Sequence, residues 1–323
     1  MKKIASAFAL VSLALAAAVP AAHSQTPKWP ERPVRSVVPF APGGATDVVA
    51  RLIAPKLAEE LGQQFVIDNR AGAGGSIGVE IVVRANPDGH TILIGASSYA
   101  SNVPLYKLTY DPMTGISPVT LITKGPFIVA VHPSVKAASI KDFIALARAK
   151  PGSMTFGSSG TGSVPHLATE HFWQMANATM VHVPFKGDAP AIVGLLGGQI
   201  QIYFGGPLVL SPHINAGKLR GLAVTSEARS PIMPDLPAVS EILPGYSAYT
   251  WFGMWAPKGT SRAIVAKLNE GVARALKNAE VQARLRDNGM DAAHNTPEEF
   301  SRFIAADIAK WTKVVKAGNI KID

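Results

Sequence analysis

The chain contains no cysteine among its 323 residues. That excludes disulfides, thiolate metal sites and cysteine nucleophiles together. Aromatic residues make up only 7% of the chain and charged residues 16%, and no block of five or six Lys or Arg occurs. A nucleic-acid-binding stripe therefore has no support. Beyond the first 24 residues, no stretch approaches the roughly 18 apolar residues that a membrane span needs. Internal repeats, coiled-coil heptads and low-complexity segments are missing as well.

What is present begins at the N-terminus. Lys2 and Lys3 precede an apolar run over residues 4–19, and Ala22-His23-Ser24 supplies small residues before Gln25. This pattern predicts a secretory signal peptide cleaved near Ser24-Gln25, and hence an exported soluble chain. Pro20 and the small-residue site argue against an uncleaved anchor, and no Cys stands at the site to take a lipid. Removing 24 residues from 323 leaves 299, enough for two ordinary domains with a substantial core. The net charge falls from +9 to +7 without Lys2 and Lys3. A basic excess suits an anionic partner, but a soluble basic surface accounts for it equally well.

Apolar β-rich runs alternate with helical spacing, which predicts an α/β architecture with mostly parallel strands. Strands are expected at 34–39, 64–68, 91–96, 154–157, 181–183, 200–204 and 221–225. Helices are expected at 46–61 and 76–84, after Ser139, from about Ser163, and from Asp188-Ala189-Pro190, with loops at 69–75 and 97–102. Ser139 is a candidate cap, with Asp142 favouring the helix dipole. Thr296-Pro297-Glu298-Glu299 reads as a capping box with Pro in the first turn, opening a helix in a largely helical C-terminal third.

One signal recurs three times: a strand runs into a Gly/Ser/Pro-rich turn that opens a helix. The turns lie at 40–47, 156–163 and 186–190. In open α/β sheets ligands bind at the carboxyl ends of strands, where such turns gather. Free N–H groups at a helix start attract carboxylate or phosphate, and glycine lets the backbone approach it. Tight-turn geometry explains any one of these loops; three together point to a binding cleft.

Enzymatic patterns fit poorly. Gly72-Ala73-Gly74-Gly75-Ser76-Ile77-Gly78 places its last glycine one residue late for a dinucleotide fingerprint, and no GxxxxGK[ST] run exists. Around Ser159, Gly157-Ser158-Ser159-Gly160-Thr161 has threonine where a nucleophile elbow needs glycine. His166 and His171 are five apart, unlike the i, i+4 pair of a zinc helix. His132 and His182 stand alone. No metal or cofactor is implied and no catalytic residue is assigned. A hydrolase using Ser159 or Ser163 with His166 remains the weaker alternative, and Ser→Ala loss of turnover would identify it.

The ordered motifs go further. "WPERPVRSVVPFAPGGATDVVAR", "VIDNRAGAGGSIGVEIVVRANPDGHTILIG", "FGSSGTGSVPHLATEHF", "VHVPFKGDAPAIVGLLGGQ", "AGKLRGLAVTSEARSP" and "APKGTSRAIVAKLNEGVARAL" follow one another from Trp29-Pro30 to the C-terminus. In this order and spacing the chain resembles the Bug-type receptors, the extracytoplasmic solute-binding components of tripartite tricarboxylate transporters. The resemblance implies a two-lobed periplasmic binding protein of type II, a Venus flytrap. It implies a discontinuous first domain at 25–125 and 248–323 and a second at 126–247. Crossing segments near 123–125 and 248–255 would form the hinge.

The resemblance also implies a periplasmic monomer that captures a small di-, tri- or aromatic carboxylate and presents it transiently to membrane transport subunits. A sensory receptor feeding a signalling partner is the alternative. In such receptors two βα loops hold a carboxylate through backbone groups and bridging waters. Those loops match Phe40, Gly43, Gly44, Ala45 and Thr46, and Ser159, Gly160, Thr161, Gly162, Ser163 and His166. Ser97, Tyr99 and Asn102, together with Asp188 and Phe204, complete the expected ligand contacts. Asp188 is also a candidate N-cap.

The far end departs from the family pattern. Gly194, Gln201 and Gly205 stand where acidic residues are common, and Tyr99 stands where His is common. Fewer acids disfavour an amino-acid ligand. Tyr99, Phe204, Phe185 and Trp251 are candidates to line an apolar or aromatic chamber. The expected ligand is a carboxylate whose other end is apolar, aromatic or a second carboxylate.

Overall fold

The computed structural model describes residues 29–231 and 233–322. The predicted signal peptide lies outside them. Along the chain, β1 (Val34–Val38), α1 (Ala45–Leu61), β2 (Phe65–Asn69), α2 (Ser76–Val83) and β3 (Thr91–Ala96) form βα units. A helical turn α3 (Ser98–Ser101) precedes the long β4 (Ile116–Pro126). Then follow β5 (Ile128–Val131), α4 (Ile140–Ala149), β6 (Thr155–Ser158), α5 (Val164–Ala176), β7 (Val181–Pro184), α6 (Asp188–Leu196), β8 (Ile202–Gly205), α7 (Pro207–Asn215) and β9 (Arg220–Val224). The chain ends with β10 (Tyr249–Pro257), α8 (Arg262–Lys277), α9 (Ala279–Asp287), a two-residue β11 (Asp291–Ala292) and α10 (Pro297–Ala317).

The strands form two sheets. One has the order β11-β4-β10-β3-β1-β2, the other β7-β6-β8-β5-β9. Strand β1 pairs parallel with β2 and β3, and β6 pairs parallel with β7 and β8. These are the strands that βα alternation predicts. Both sheets are nonetheless mixed rather than mostly parallel, because β10 runs antiparallel to β3 and β4, and β5 antiparallel to β8 and β9. Antiparallel pairing here joins strands distant along the chain, such as β10 with β4, which βα alternation does not reveal.

The chain passes from one sheet to the other at Phe127, between β4 and β5, and returns after Ala248 into β10. Buried Thr225 clasps both passages. Its Oγ1 accepts the Phe127 N–H at 2.7 Å and lies 2.6 Å from the Ala248 carbonyl, to which it can donate. Its own N–H bonds the Phe127 carbonyl, and the Ala248 N–H bonds the Thr225 carbonyl. The two crossings are thus held side by side.

A core of Trp251, Trp255, Phe300 and Trp311 on the six-stranded side is continuous with Phe156, Phe172, Phe204 and Tyr246 on the other. A separate cluster under α1 and α8, including Ile53, Leu57 and Leu268, fills the opposite face of the six-stranded sheet. Helix α2 starts close to β1: a Cβ at Gly78 would meet Pro39 Cα at 2.7 Å, so only glycine lets these backbones approach.

The expected capping groups are present. Ser139 and Asp142 form a reciprocal capping box on α4, and Thr296 and Glu299 form another on α10. Residues 97–102, expected as a loop, contain α3, because the Asn102, Ser101 and Ala100 N–H groups bond back to Ser98 and Ser97 carbonyls. Asp188 is not the N-cap of α6. Gly187, at φ 112°, takes that position and Asp188 is the first helical residue. No described helix is long and apolar enough to cross a membrane.

Candidate functional site

A cavity of about 510 Å³ opens between the two sheets, lined by residues carried on both. One wall comes from the turn after β1, the turn after β2 and the end of β3 with the segment that follows it: Phe40, Gly44, Ala45, Thr46, Gly74, Ala96, Ser97, Ser98, Asn102 and Tyr106. The facing wall comes from the turn after β6, with Ser159, Gly160, Thr161, Gly162, Ser163, Val164 and Pro165, and from Gly187 and Asp188. Phe127, Thr250 and Phe252, at and beside the crossings, together with Gly206, Pro207, Val209, Asn288 and Met290, complete the lining.

Helix starts supply the donors. The first turn of α1 leaves its N–H groups without intrahelical partners; α5 offers fewer, because Pro165 has no N–H and the His166 N–H bonds Ser163 Oγ, which leaves that of Val164. Among the described residues no Lys, Arg or His lines the cavity. In a chain of net charge +9, an anion here meets backbone dipoles rather than cationic side chains.

Both loops are braced from behind. Asp47 is buried; its Oδ2 accepts the Gly43 N–H at 2.9 Å and the Arg51 Nε–H at 2.8 Å. Asn69 Nδ2 donates to Asp47 Oδ1 and to the Phe40 carbonyl, each at 3.0 Å. Burial pushes the Asp47 carboxyl up, but the Arg51, Gly43 and Asn69 hydrogen bonds outweigh it and hold the pKa at about 2. Across the cavity, His166 Nδ1 accepts the Gly162 N–H at 3.0 Å. His166 stacks on His182 with ring centroids 3.8 Å apart, and His182 Nε2 lies 2.7 Å from Ser158 Oγ. Burial, reinforced by His182, lowers the His166 pKa to about 3, and burial lowers that of His182 to about 4. Both rings are neutral near pH 7. His166 therefore fixes the loop as an acceptor.

Of the contacts expected from sequence, Phe40, Gly44, Ala45, Thr46, Ser97, Asn102, Ser159, Gly160, Thr161, Gly162, Ser163 and Asp188 meet around the cavity. Four do not reach it. Gly43 turns its N–H back to Asp47. His166 lies behind the loop it braces. Tyr99 is buried against Trp255, with its hydroxyl donating to the Pro112 carbonyl at 2.5 Å. Phe204 is fully buried and packs edge-on against Phe172. Phe185 and Trp251 also lie outside the lining; the Trp251 indole donates to Asp307 at 2.9 Å.

The apparent acid deficits do not lie on the wall either. Gly194 gives room to Phe185, and Gly205 to Tyr203, each 2.6 Å from where a Cβ would sit. Gln201 Oε1 accepts from the Thr155 N–H and hydroxyl. The residues sequence reasoning missed include Gly206 and Pro207, a fourth strand–glycine–helix turn of the kind already recognised three times. Phe127, Thr250 and Phe252 carried no local signal.

Comparison with known proteins agrees with this arrangement. Residues 49–320 match the model of the tripartite tricarboxylate transporter family receptor. Protein BugT of Bordetella pertussis is 35% identical over 318 residues, covering 97% of this chain and 98% of that protein. The structure of R. palustris Rpa4515 with adipate superposes with a TM-score of 0.82 at 39% identity, over 91% of this chain and 99% of that one. MatC from Rhodopseudomonas palustris with bound malate gives 0.78 at 33% identity, over 89% and 100%. The two-sheet fold, the coverage and the family match agree: the chain belongs to the tripartite tricarboxylate transporter receptor family.

Proposed function

We propose that the protein is a periplasmic receptor that captures a small organic carboxylate between its two sheets and presents it to membrane transport subunits. The observation that carries this reading is a cavity of about 510 Å³ walled by two Gly-rich turns that open helices, with no cationic side chain among its described lining residues. Such a wall suits a carboxylate held by backbone N–H groups and ordered water. Adipate and malate in the related structures support the same class of ligand.

The proposed division is 25–125 with 248–323 against 126–247, and the crossings at Phe127 and Ala248 are the proposed hinge. Ligand contacts with both walls favour the closed arrangement over the open one, which is what closure requires. The protein acts as a monomer and returns its ligand unaltered. Hydrolysis is disfavoured by the geometry: His166 Nδ1 holds the Gly162 N–H, and the Ser158–His182 pair is partly buried away from the cavity.

A thermal-shift screen against mono-, di- and tricarboxylates, aromatic acids and amino acids tests the reading. A ligand at about 100 times its dissociation constant adds roughly 2.7 kcal/mol, several degrees in Tm for a chain of this size. A shift with one carboxylate class, the ligand being recovered intact, is expected. No shift with any acid, or chemical turnover, would refute the proposal.

A further inference from the structure

The cavity wall holds one ionisable acid and no base. Asp188 is the single charged side chain among the described lining residues. Gly187 takes the capping position of α6, so the Asp188 carboxylate is not spent on capping. Instead Asp188 Oδ1 accepts from the Tyr203 hydroxyl. Burial, with Asp188 alongside, raises the Tyr203 pKa well above its ordinary value, so Tyr203 stays a neutral donor. Among the described residues no Lys, Arg or His forms an ion pair with Asp188. The residue is exposed and lines the cavity, and no described hydrogen bond occupies its second oxygen.

We infer that Asp188 is a specificity-determining residue: it selects carboxylates that also carry a hydroxyl or ammonium group where the molecule meets it. The inference rests on the carboxylate-receptor reading and deepens it. An ionised carboxylate only accepts hydrogen bonds. A ligand donor satisfies it through a charge-assisted bond, whereas a second ligand carboxylate at that point meets like charge. The cavity is thus polarised, with helix-start N–H donors at Ala45, Thr46 and Val164 and an acceptor at 188. The Tyr203 hydroxyl holds that acceptor in place. This reverses the sequence expectation that ligands needing a counter-charge are disfavoured: the missing acids at 194, 201 and 205 do not face the cavity, and Asp188 does.

The test is calorimetric titration of the purified chain and of Asp188→Asn. The probes are acids of four to eight carbons bearing a hydroxyl or amino group at the 2-position or the far end. Each is compared with the unsubstituted acid and the dicarboxylate of equal length. Asn keeps an oxygen for the Tyr203 hydroxyl, so Tm is expected to stay unchanged. The native chain is expected to bind its best donor-bearing acid at least tenfold tighter than the matched unsubstituted acid. Asp188→Asn is expected to erase that margin, and Tyr203→Phe to reduce it. A margin that survives in Asp188→Asn overturns the inference. So does a native chain that binds the plain acid or dicarboxylate equally well; the receptor reading then still stands. Binding of no acid at all to the native chain removes both.

Discussion

Asp47 braces the proposed anion site from outside the cavity lining. It holds Gly43, Asn69 and Arg51 at once, and through Gly43 sets the path of the turn that presents Gly44, Ala45 and Thr46. Asp47→Ala removes the shared acceptor of the Gly43, Asn69 and Arg51 donors and is expected to cost about 1 kcal/mol. Urea unfolding measures that loss, and calorimetry should show weaker ligand binding beside it. The neutral buried histidines predict acid sensitivity. Burial, with some help from Lys310, lowers the His171 pKa to about 4, below the unfolded value near 6.5. Between those values the unfolded chain binds the proton and the folded chain does not, so stability falls as pH drops from about 6.5 towards 4. His166 and His182 act in the same direction. The ring of His171 stacks on Tyr246 at 5.2 Å. His171→Phe keeps a stacking ring that cannot titrate, so a plot of Tm against pH should fall less steeply in acid for this variant. An unchanged slope would contradict the assignment.

At the scale of elements, local chemistry sets the helix starts. The Thr296–Glu299 capping box was legible because its two side chains bond only neighbours three residues away. Thr296→Ala is expected to cost about 1 kcal/mol. Because α10 starts away from the cavity lining, ligand affinity should stay unchanged, which paired unfolding and binding measurements check. Strands β4 and β10 were less legible. Their Cα register, Tyr249 opposite Pro126 through Pro257 opposite Ile116, joins segments more than a hundred residues apart. No sequence window contains both.

For the whole molecule, the crossings at Phe127 and Ala248, held together by Thr225, are the hinge we propose. Helix α10 also meets α5, where Gln174 Nε2 donates to the Val314 carbonyl at 3.1 Å. Closure about these contacts predicts that a saturating carboxylate lowers the radius of gyration in X-ray scattering, with no change in mass. An unchanged radius with bound ligand would show a receptor already closed, and would remove the hinge from the mechanism.

The sequence by itself determined the βα order, the helix caps, the Gly-rich turns and, through the order of its motifs, the family. Each of these depends on residues near one another along the chain, or on whole motifs that survive intact. Tertiary structure decided which candidates face the ligand. Tyr99, Phe204 and Trp251 carry the right chemistry for a wall, yet core packing takes them. Asp188 suits a cap, yet Gly187 holds that place and the Asp188 carboxylate accepts from Tyr203 beside the cavity. A side chain's direction is set by neighbours apart in sequence, as Tyr203 is from Asp188. The polarity of this cavity therefore emerged only once the sheets were assembled.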